Sequence, residues 1–422
     1  MTTKYKPYPA YKDSGVEWLG EVPGHWEANR LKFLCNIQTG NKDTVDAVEN
    51  GDYPFFVRSQ QIERINSFTF DCEAVLTAGD GVGVGKVFHY QNGPFDFHQR
   101  VYMMNNFRHI SGRFFFYYLR EMFHKVALDG GAKSTVDSLR LPVFLNFSFT
   151  IPPEEEQKVI LAYLDRETVK IDTLIAKQER LIELLQEKRT ALISHAVTKG
   201  LNPDAPMKDS GVEWLREVPA HWKINKLNRL SNQIIDGAHF TPTYVNEGIP
   251  FLRVTDIQDH QIDKSMIKYI PENEHKDLIR RCNPKKGDLL LSKNGTVGIP
   301  KVIDWDWEFS IFVSLCLIKL KPDLDPYYAY YMFLSDSIKE HINDGIKQST
   351  VINLHLEKIS KFIFSVPPIK EQRKIVDFLD HETAKIDTLI QKSRHAIDLL
   401  KERRTALISA AVTGKIDVRD NV

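Results

Sequence analysis

Residues 152–200 read PPEEEQKVILAYLDRETVKIDTLIAKQERLIELLQEKRTALISHAVTKG, and residues 367–415 read PPIKEQRKIVDFLDHETAKIDTLIQKSRHAIDLLKERRTALISAAVTGK, the same passage displaced by 215 positions. Each copy opens on two prolines. The first carries Glu154, Glu155 and Glu156 in its opening turn, where the helix dipole favours negative charge, and both continue as an apolar stripe of helical period. Asp165 is a candidate break or fresh N-cap. About 31 helical residues per copy then span roughly 46 Å at a rise of about 1.5 Å per residue. Ile171, Leu174, Leu181, Leu185 and Leu192 fall at coiled-coil spacing, interrupted by Gln178. The second copy answers with Ile386, Leu389, Ala396, Leu400 and Leu407. Lys188 and Arg189, and Arg403 and Arg404, suit the C-terminal ends, with Gly200 and Gly414 just beyond. Each helix needs a partner for its seam, and the other copy is the nearest one. The expectation is an antiparallel two-helix coiled coil.

A second repeat frames the chain. KDSGVEWLGEVPGHWE at 12–27 returns as KDSGVEWLREVPAHWK at 208–223, an offset of 196. The order is peptide, variable block, helix, then all three again. The blocks differ in length yet remain related: PFFVR at 54–58 answers PFLR at 250–253, and the glycine turn at 81–86 answers 295–301. FFFYY at 114–118 answers YYAYY at 327–331, and STV recurs at 134–136 and 349–351. Strand-like stretches at 53–58, 74–78, 101–104, 251–254, 288–292 and 311–320, plus one aromatic helix per block, give α+β globules. The expected fold class is therefore α+β: two related α/β globules separated by an antiparallel two-helix coiled coil, with a pseudo-two-fold from internal duplication. The expected divisions are 1–151, 152–200, 201–366 and 367–422.

Composition narrows the function. With 422 residues the chain exceeds one ordinary core. Its 42% hydrophobic and 27% charged residues match globular composition. No apolar run approaches the roughly 18 residues of a membrane span, and the N-terminus has no apolar signal segment. Four widely spaced cysteines, Cys35, Cys72, Cys282 and Cys316, form no zinc pattern and fit buried thiols in a cytoplasm. Lys and Arg (56) equal Asp and Glu (56), so any binding to nucleic acid must rest on local patches or on a basic partner.

Catalytic motifs are missing. The glycine run at 79–86 resembles a phosphate loop, but its required first glycine falls on Asp80 and Val87 stands where Ser or Thr is needed. Its glycines fit either a tight hairpin with positive φ or close backbone approach to a ligand phosphate. No dinucleotide fingerprint, zinc-protease motif, nucleophile elbow or aromatic-flanked Asn-Pro-Pro run occurs. Residues 86–140 do hold eight Lys/Arg against four Asp/Glu, interleaved with aromatics and four His, as a local phosphate-binding footprint would. Arg58, Gln60, Gln61, His98, Gln99 and Arg100 put readers of guanine and adenine edges at strand ends, and Lys86 adds a cation. Lys133, Ser134 and Thr135, and Lys347, Gln348 and Ser349, follow glycines and serve either phosphate contact or helix capping. Arg253, Lys293, Asn294, Thr296 and Lys301 are the second block's candidates. Trp18, Trp26, Trp214 and Trp222 read as packing anchors more readily than as stacking platforms.

These motifs together resemble the specificity subunit of type I restriction-modification systems. The SGVEWL…VP…HW entry, the PP…EQ…I…LD…ET…KID…LI opening and the RTALIS…AVT close, each present twice, carry the resemblance over nearly the whole chain. It implies two target-recognition domains reading the halves of a split, asymmetric double-stranded DNA sequence, with the coiled coil as ruler. It also implies two methyltransferase subunits using S-adenosylmethionine and two motor-nuclease subunits using ATP and Mg2+, with no cofactor, metal or catalytic residue on this chain. A ruler of roughly 46 Å corresponds to about 13 base pairs. Two other readings stand beside it: a stand-alone DNA-binding regulator, and a coiled-coil adaptor for proteins.

Overall fold

The computed structural model describes residues 6–124, 139, 141–258, 262–347 and 354–421. The chain gathers into two compact units, one built from residues 1–179 with 394–422 and the other from 180–393. Two long helices, Glu154–Lys199 and Ile369–Val412, each contribute one half to either unit.

Asp165 does not break the first helix, which runs unbroken for 46 residues, about 69 Å. The second runs for 44. Both exceed the 31 residues expected, because the apolar period of 154–165 is in phase with that of 166–199. Asp165 is occupied elsewhere: its carboxylate accepts from Arg113 at 2.6 Å and from the Tyr117 hydroxyl at 3.2 Å.

Within each unit the half-helices run antiparallel. In the first, the Thr150 hydroxyl donates to the Val412 carbonyl and Arg404 pairs with Asp172 at 2.9 Å. In the second, Ser365 donates to the Val197 carbonyl and Arg189 pairs with Asp387 at 3.2 Å. These contacts join matching positions of the repeat. The expected seam needs correction, however. Ile171, Leu185, Ile386 and Leu407 are buried, and Leu192 and Leu400 partly so, but Leu174, Leu181 and Leu389 are 46%, 42% and 48% exposed. The neighbours Ile175, Ile182 and Ile390 pack inward instead. The first helix therefore turns Ile171, Ile175, Gln178, Ile182, Leu185, Arg189, Leu192 and Ala196 inward, and the second repeats that order from Ile386 to Ala411. The steps still alternate between four and three, but they begin with four.

In the first unit, Asn36–Thr39, Val101–Asn105, Phe70–Ala78, Phe88–Phe97, Tyr53–Phe56 and Glu63–Ile65 lie in that order in a six-stranded sheet. Only Tyr53–Phe56 and Phe88–Phe97 pair parallel. The aromatic helix Gly112–Met122, capped by the Ser111 hydroxyl, packs on the sheet and on Glu27–Arg30 paired with Ser148–Ile151. The Phe115 and Phe149 rings stack 4.4 Å apart.

The second unit repeats this plan with its sheet divided. Ser231–Asp236, Leu315–Leu320, Leu289–Ser292 and Pro300–Val302 form four strands, and Lys268–Ile270, Ile249–Leu252 and Ser310–Ile311 form three. The single strand expected over 311–320 breaks at 312–314, where the chain leaves one sheet for the other. Residues 303–309 likewise interrupt what is one continuous strand, Phe88–Phe97, in the first unit.

The short repeat locks onto each helix start. Trp26 is fully buried and donates from Nε1 to Glu156 at 3.1 Å, beside His25 at 2.7 Å and the Tyr8 hydroxyl at 2.6 Å. Trp222 and His221 contact Glu371 at the same two distances. Gln157 and Gln372 next to them each accept from a loop amide and donate to two carbonyls. Trp18 stacks on Phe147, and Trp214 packs on the second core, so the tryptophans serve as anchors.

Candidate nucleic-acid interface

At one end of the six-stranded sheet, strand ends converge on a glycine turn. Asp80–Val84 leads from Phe70–Ala78 into Phe88–Phe97, with Gly81–Gly83 forming a single 3-10 turn. Gly81 has φ +76°, which a side chain would strain, and a Cβ on Gly83 would lie 2.6 Å from the Arg58 carbonyl oxygen. The turn is therefore closely seated on the strand end that carries Arg58. Of the two readings open for these glycines, the observed one is a turn between strands.

Asp80 organises the cations here. One carboxylate oxygen accepts from Arg58 at 2.7 Å and the other from Arg100 at 3.2 Å. Gln60 donates to the Lys86 carbonyl at 2.8 Å, and the Lys86 side chain is exposed. Gln61 is exposed, its carbonyl accepting from the Ser59 hydroxyl. Gln99 donates to Asp43 at 2.8 Å. His98 is 3% exposed, its Nδ1 accepting the Arg100 amide at 3.0 Å. Burial holds its pKa below the ordinary histidine value, and the ring lies between the Arg100 backbone amide on Nδ1 and Asp43, 3.7 Å from Nε2.

Arg58 and Arg100, 42 positions apart in sequence, are thus brought together on Asp80, and Gln60 is brought to Lys86, whereas Gln99 is held by Asp43. Asp80 and Asp43 are the residues that sequence reading missed. Asp80 registered only as a failed phosphate loop, and nothing local showed that it faces two arginines. Ion pairs this exposed add little stability. Their effect is to hold two flexible guanidinium groups in one orientation.

In the second unit the matching turn runs through Gly295, Thr296, Val297 and Gly298, with φ +74° and +87° at its glycines. Thr296 is exposed and accepts from the Gln258 amide at 3.4 Å. Arg253 pairs with Asp256 at 3.1 Å. Lys293 lies inside, only 7% exposed at its side chain, and donates to Asp236 at 2.8 Å. Asp236 also meets Arg281 at 2.6 Å and His239 at 3.0 Å. Burial alone would raise the Asp236 pKa, but hydrogen bonds from Lys293, His239 and Arg281 prevail and bring it down to about 2. Lys293 is accordingly a buried structural cation instead of a surface reader. Asn294 is half-buried, and its carboxamide oxygen has no hydrogen-bond partner among the described residues. Lys301 sits on Pro300–Val302 and lines a cavity of about 900 Å3 with Tyr327, Tyr330, Asp380 and Asp387.

Lys133, Ser134, Thr135, Gln348 and Ser349 lie outside the described residues, and Lys347 ends the helix Asp336–Lys347. All four cysteines are free thiols, and burial pushes those of Cys35 and Cys282 up to about 12. Among the described residues no group of three His, Cys, Asp or Glu gathers as a metal site, and no helix is long and apolar enough to cross a membrane.

Comparison with known proteins gives a family by sequence and a shared fold by structure. The family model described as "Type I restriction modification DNA specificity domain" matches twice, over residues 23–184 and 222–398. The specificity subunit of the type I restriction enzyme EcoDI from Escherichia coli is 22% identical over 416 residues, spanning 94% of this chain and 90% of that protein. That of MjaVIII from Methanocaldococcus jannaschii is 22% identical over 423 residues, spanning 94% and 95%. Among solved structures, a chain from a study of complex assembly and conformational transition in the type I R-M system superposes with a TM-score of 0.71. It is 16% identical, covering 94% of this chain and 99% of the other, so the likeness shows a shared fold.

Proposed function

The chain belongs to the type I restriction-modification DNA specificity family, and from that premise we propose that it is the non-catalytic, sequence-reading subunit of a type I restriction-modification complex. Each unit reads one half of a bipartite, asymmetric target in double-stranded DNA. Two methyltransferase subunits bring S-adenosylmethionine, and two motor-nuclease subunits bring ATP and Mg2+.

One observation carries this reading. The contacts that build each unit recur residue for residue, Glu156 as Glu371, Gln157 as Gln372, and Asp172 with Arg404 as Asp387 with Arg189. The arginine beside each glycine turn recurs, Arg58 as Arg253, but its partner and the turn's own exposed side chain do not. Arg58 shares Asp80 with Arg100 and its turn carries Val82, whereas Arg253 pairs with Asp256 and its turn carries Thr296. A shared scaffold with two different surfaces is what an asymmetric target demands of a duplicated reader. The repeated scaffold also supplies two equivalent places for a pair of identical partners.

The test is adenine-methylation profiling of DNA from cells expressing this chain with its partner methyltransferase, against cells lacking this chain. A new motif in two parts is expected. Specific binding of one duplex by the chain alone, with no new methylation, would favour a stand-alone regulator.

A further inference from the structure

The glycine turn of the first unit carries an exposed apolar side chain beside the paired cations Arg58 and Arg100. Val82, at the tip, is 86% exposed, while Val84 and Val87 on either side of Gly85 turn inward. Exposing a valine at a loop tip gains nothing for folding. The tip is also held firmly. Val84 donates to the Gly81 carbonyl at 3.1 Å, Lys86 and Val87 donate to that of Gly83 at 3.0 and 2.9 Å, and the Gly79 amide donates to the Arg100 carbonyl at 2.9 Å. Arg58 and Arg100 are fixed on Asp80 at the entrance of the turn, with Arg58 Nη1 3.7 Å from a Cβ built on Gly81, and Lys86 is exposed at its exit. An apolar tip on a hydrogen-bonded turn, with cations at its entrance and exit, suits a polyanion whose grooves offer apolar base edges.

We propose that the 81–85 turn is the base-reading element of the first unit and that Val82 is its specificity-determining residue, in apolar contact with the 5-methyl group of a thymine. The inference rests on the recognition function proposed above and assigns it to a position. Thymine is the base whose major-groove edge carries a methyl group, and apolar side chains are its natural readers. Arg58 and Arg100 lie close enough to engage phosphates or a flanking guanine once DNA displaces Asp80. The second unit adds a contrast, because its turn places Thr296 at the matching tip with the Gln258 amide against the hydroxyl. One tip is apolar and the other hydrogen-bonding, so the two half-sites differ at the positions these tips reach.

The experiment uses the complex with the methyltransferase subunit and compares methylated motifs for wild type, Val82→Ala, Val82→Asn, Thr296→Val and Val169→Thr, the last a 64% exposed control on the long helix. The Val82 variants are expected to relax one thymine position of the first half-site and leave the second half-site and spacer intact. Thr296→Val is expected to do the reverse. Replacing that thymine by deoxyuridine should weaken wild-type binding about fourfold, the worth of one buried methyl, and leave Val82→Ala unchanged. Val82 variants that direct the wild-type motif at every position would overturn the proposal. A wild-type complex that directs no two-part motif would instead remove the recognition reading on which it rests.

Discussion

Asp236 shows how a residue can serve the proposed reading surface without being part of it. Its carboxylate is buried with Lys293, Arg281 and His239 around it, and it fixes the segment that leads into the Gly295 turn. Asp236→Asn strands the buried Lys293 ammonium without a countercharge, at an expected cost of about 3 kcal/mol. The pH dependence has a definite sign. The folded pKa, about 2, lies below the unfolded value near about 4, so the contribution is complete above about pH 4 and lost as pH falls toward 2. Melting curves of wild type and Asp236→Asn should therefore stay separated from pH 7 to 4 and converge below it. A separation that widened on acidification would contradict the assignment. At this scale the sequence was legible where side-chain chemistry faces outward, as with Arg58 and Arg100. It was not legible for Lys293 and His98, because a cation and its buried carboxylate, or a ring and the backbone it supports, meet only after the sheet forms.

The helices teach a different lesson about legibility. Their existence, pairing and repeat follow from the periodic stripe and its recurrence at a constant offset. The choice of seam did not follow, because Leu174–Ile175, Leu181–Ile182 and Leu389–Ile390 are adjacent apolar pairs that satisfy two heptad frames equally well. What decides between them is the companion polar set: in the observed frame Arg189 and Arg404 fall on the seam and reach across to Asp387 and Asp172. Truncating the inward member should expose the difference. Ile390→Ala is expected to destabilise the second unit by about 2–4 kcal/mol, and Leu389→Ala by less than about 0.5 kcal/mol. Urea unfolding of the two variants measures both, and equal costs would return the seam to the other frame.

For the whole molecule, duplication was written plainly in the sequence and the α+β class followed from it. The splitting of the second sheet was hidden, because residues 311–320 look like one strand until the parallel pairing of Ser310–Ile311 with Ile249–Leu252 is seen. Each long helix is a single unbroken element, so the proposed ruler can be adjusted. Inserting one heptad after Gln178 and one after Ser393 preserves the seam frame in both helices and adds about 10.5 Å of rise, roughly three base pairs. The methylated motif is then expected to gain spacer with both half-sites unchanged. An unaltered spacer would refute the ruler.

The two units also differ in when they can exist. Residues 180–393 form an uninterrupted stretch of chain, whereas the first unit joins residues 394–422 to residues 1–179, with the Tyr11 hydroxyl donating to the Gly414 carbonyl. At about 5–20 residues per second, roughly 10 to 45 s of synthesis separate residue 179 from residue 394. Over that interval the earliest-made globule lacks its half of the helix pair, and a nascent chain cut short anywhere before residue 394 never acquires it. Completion of the first unit thus waits on the synthesis of the whole of the second.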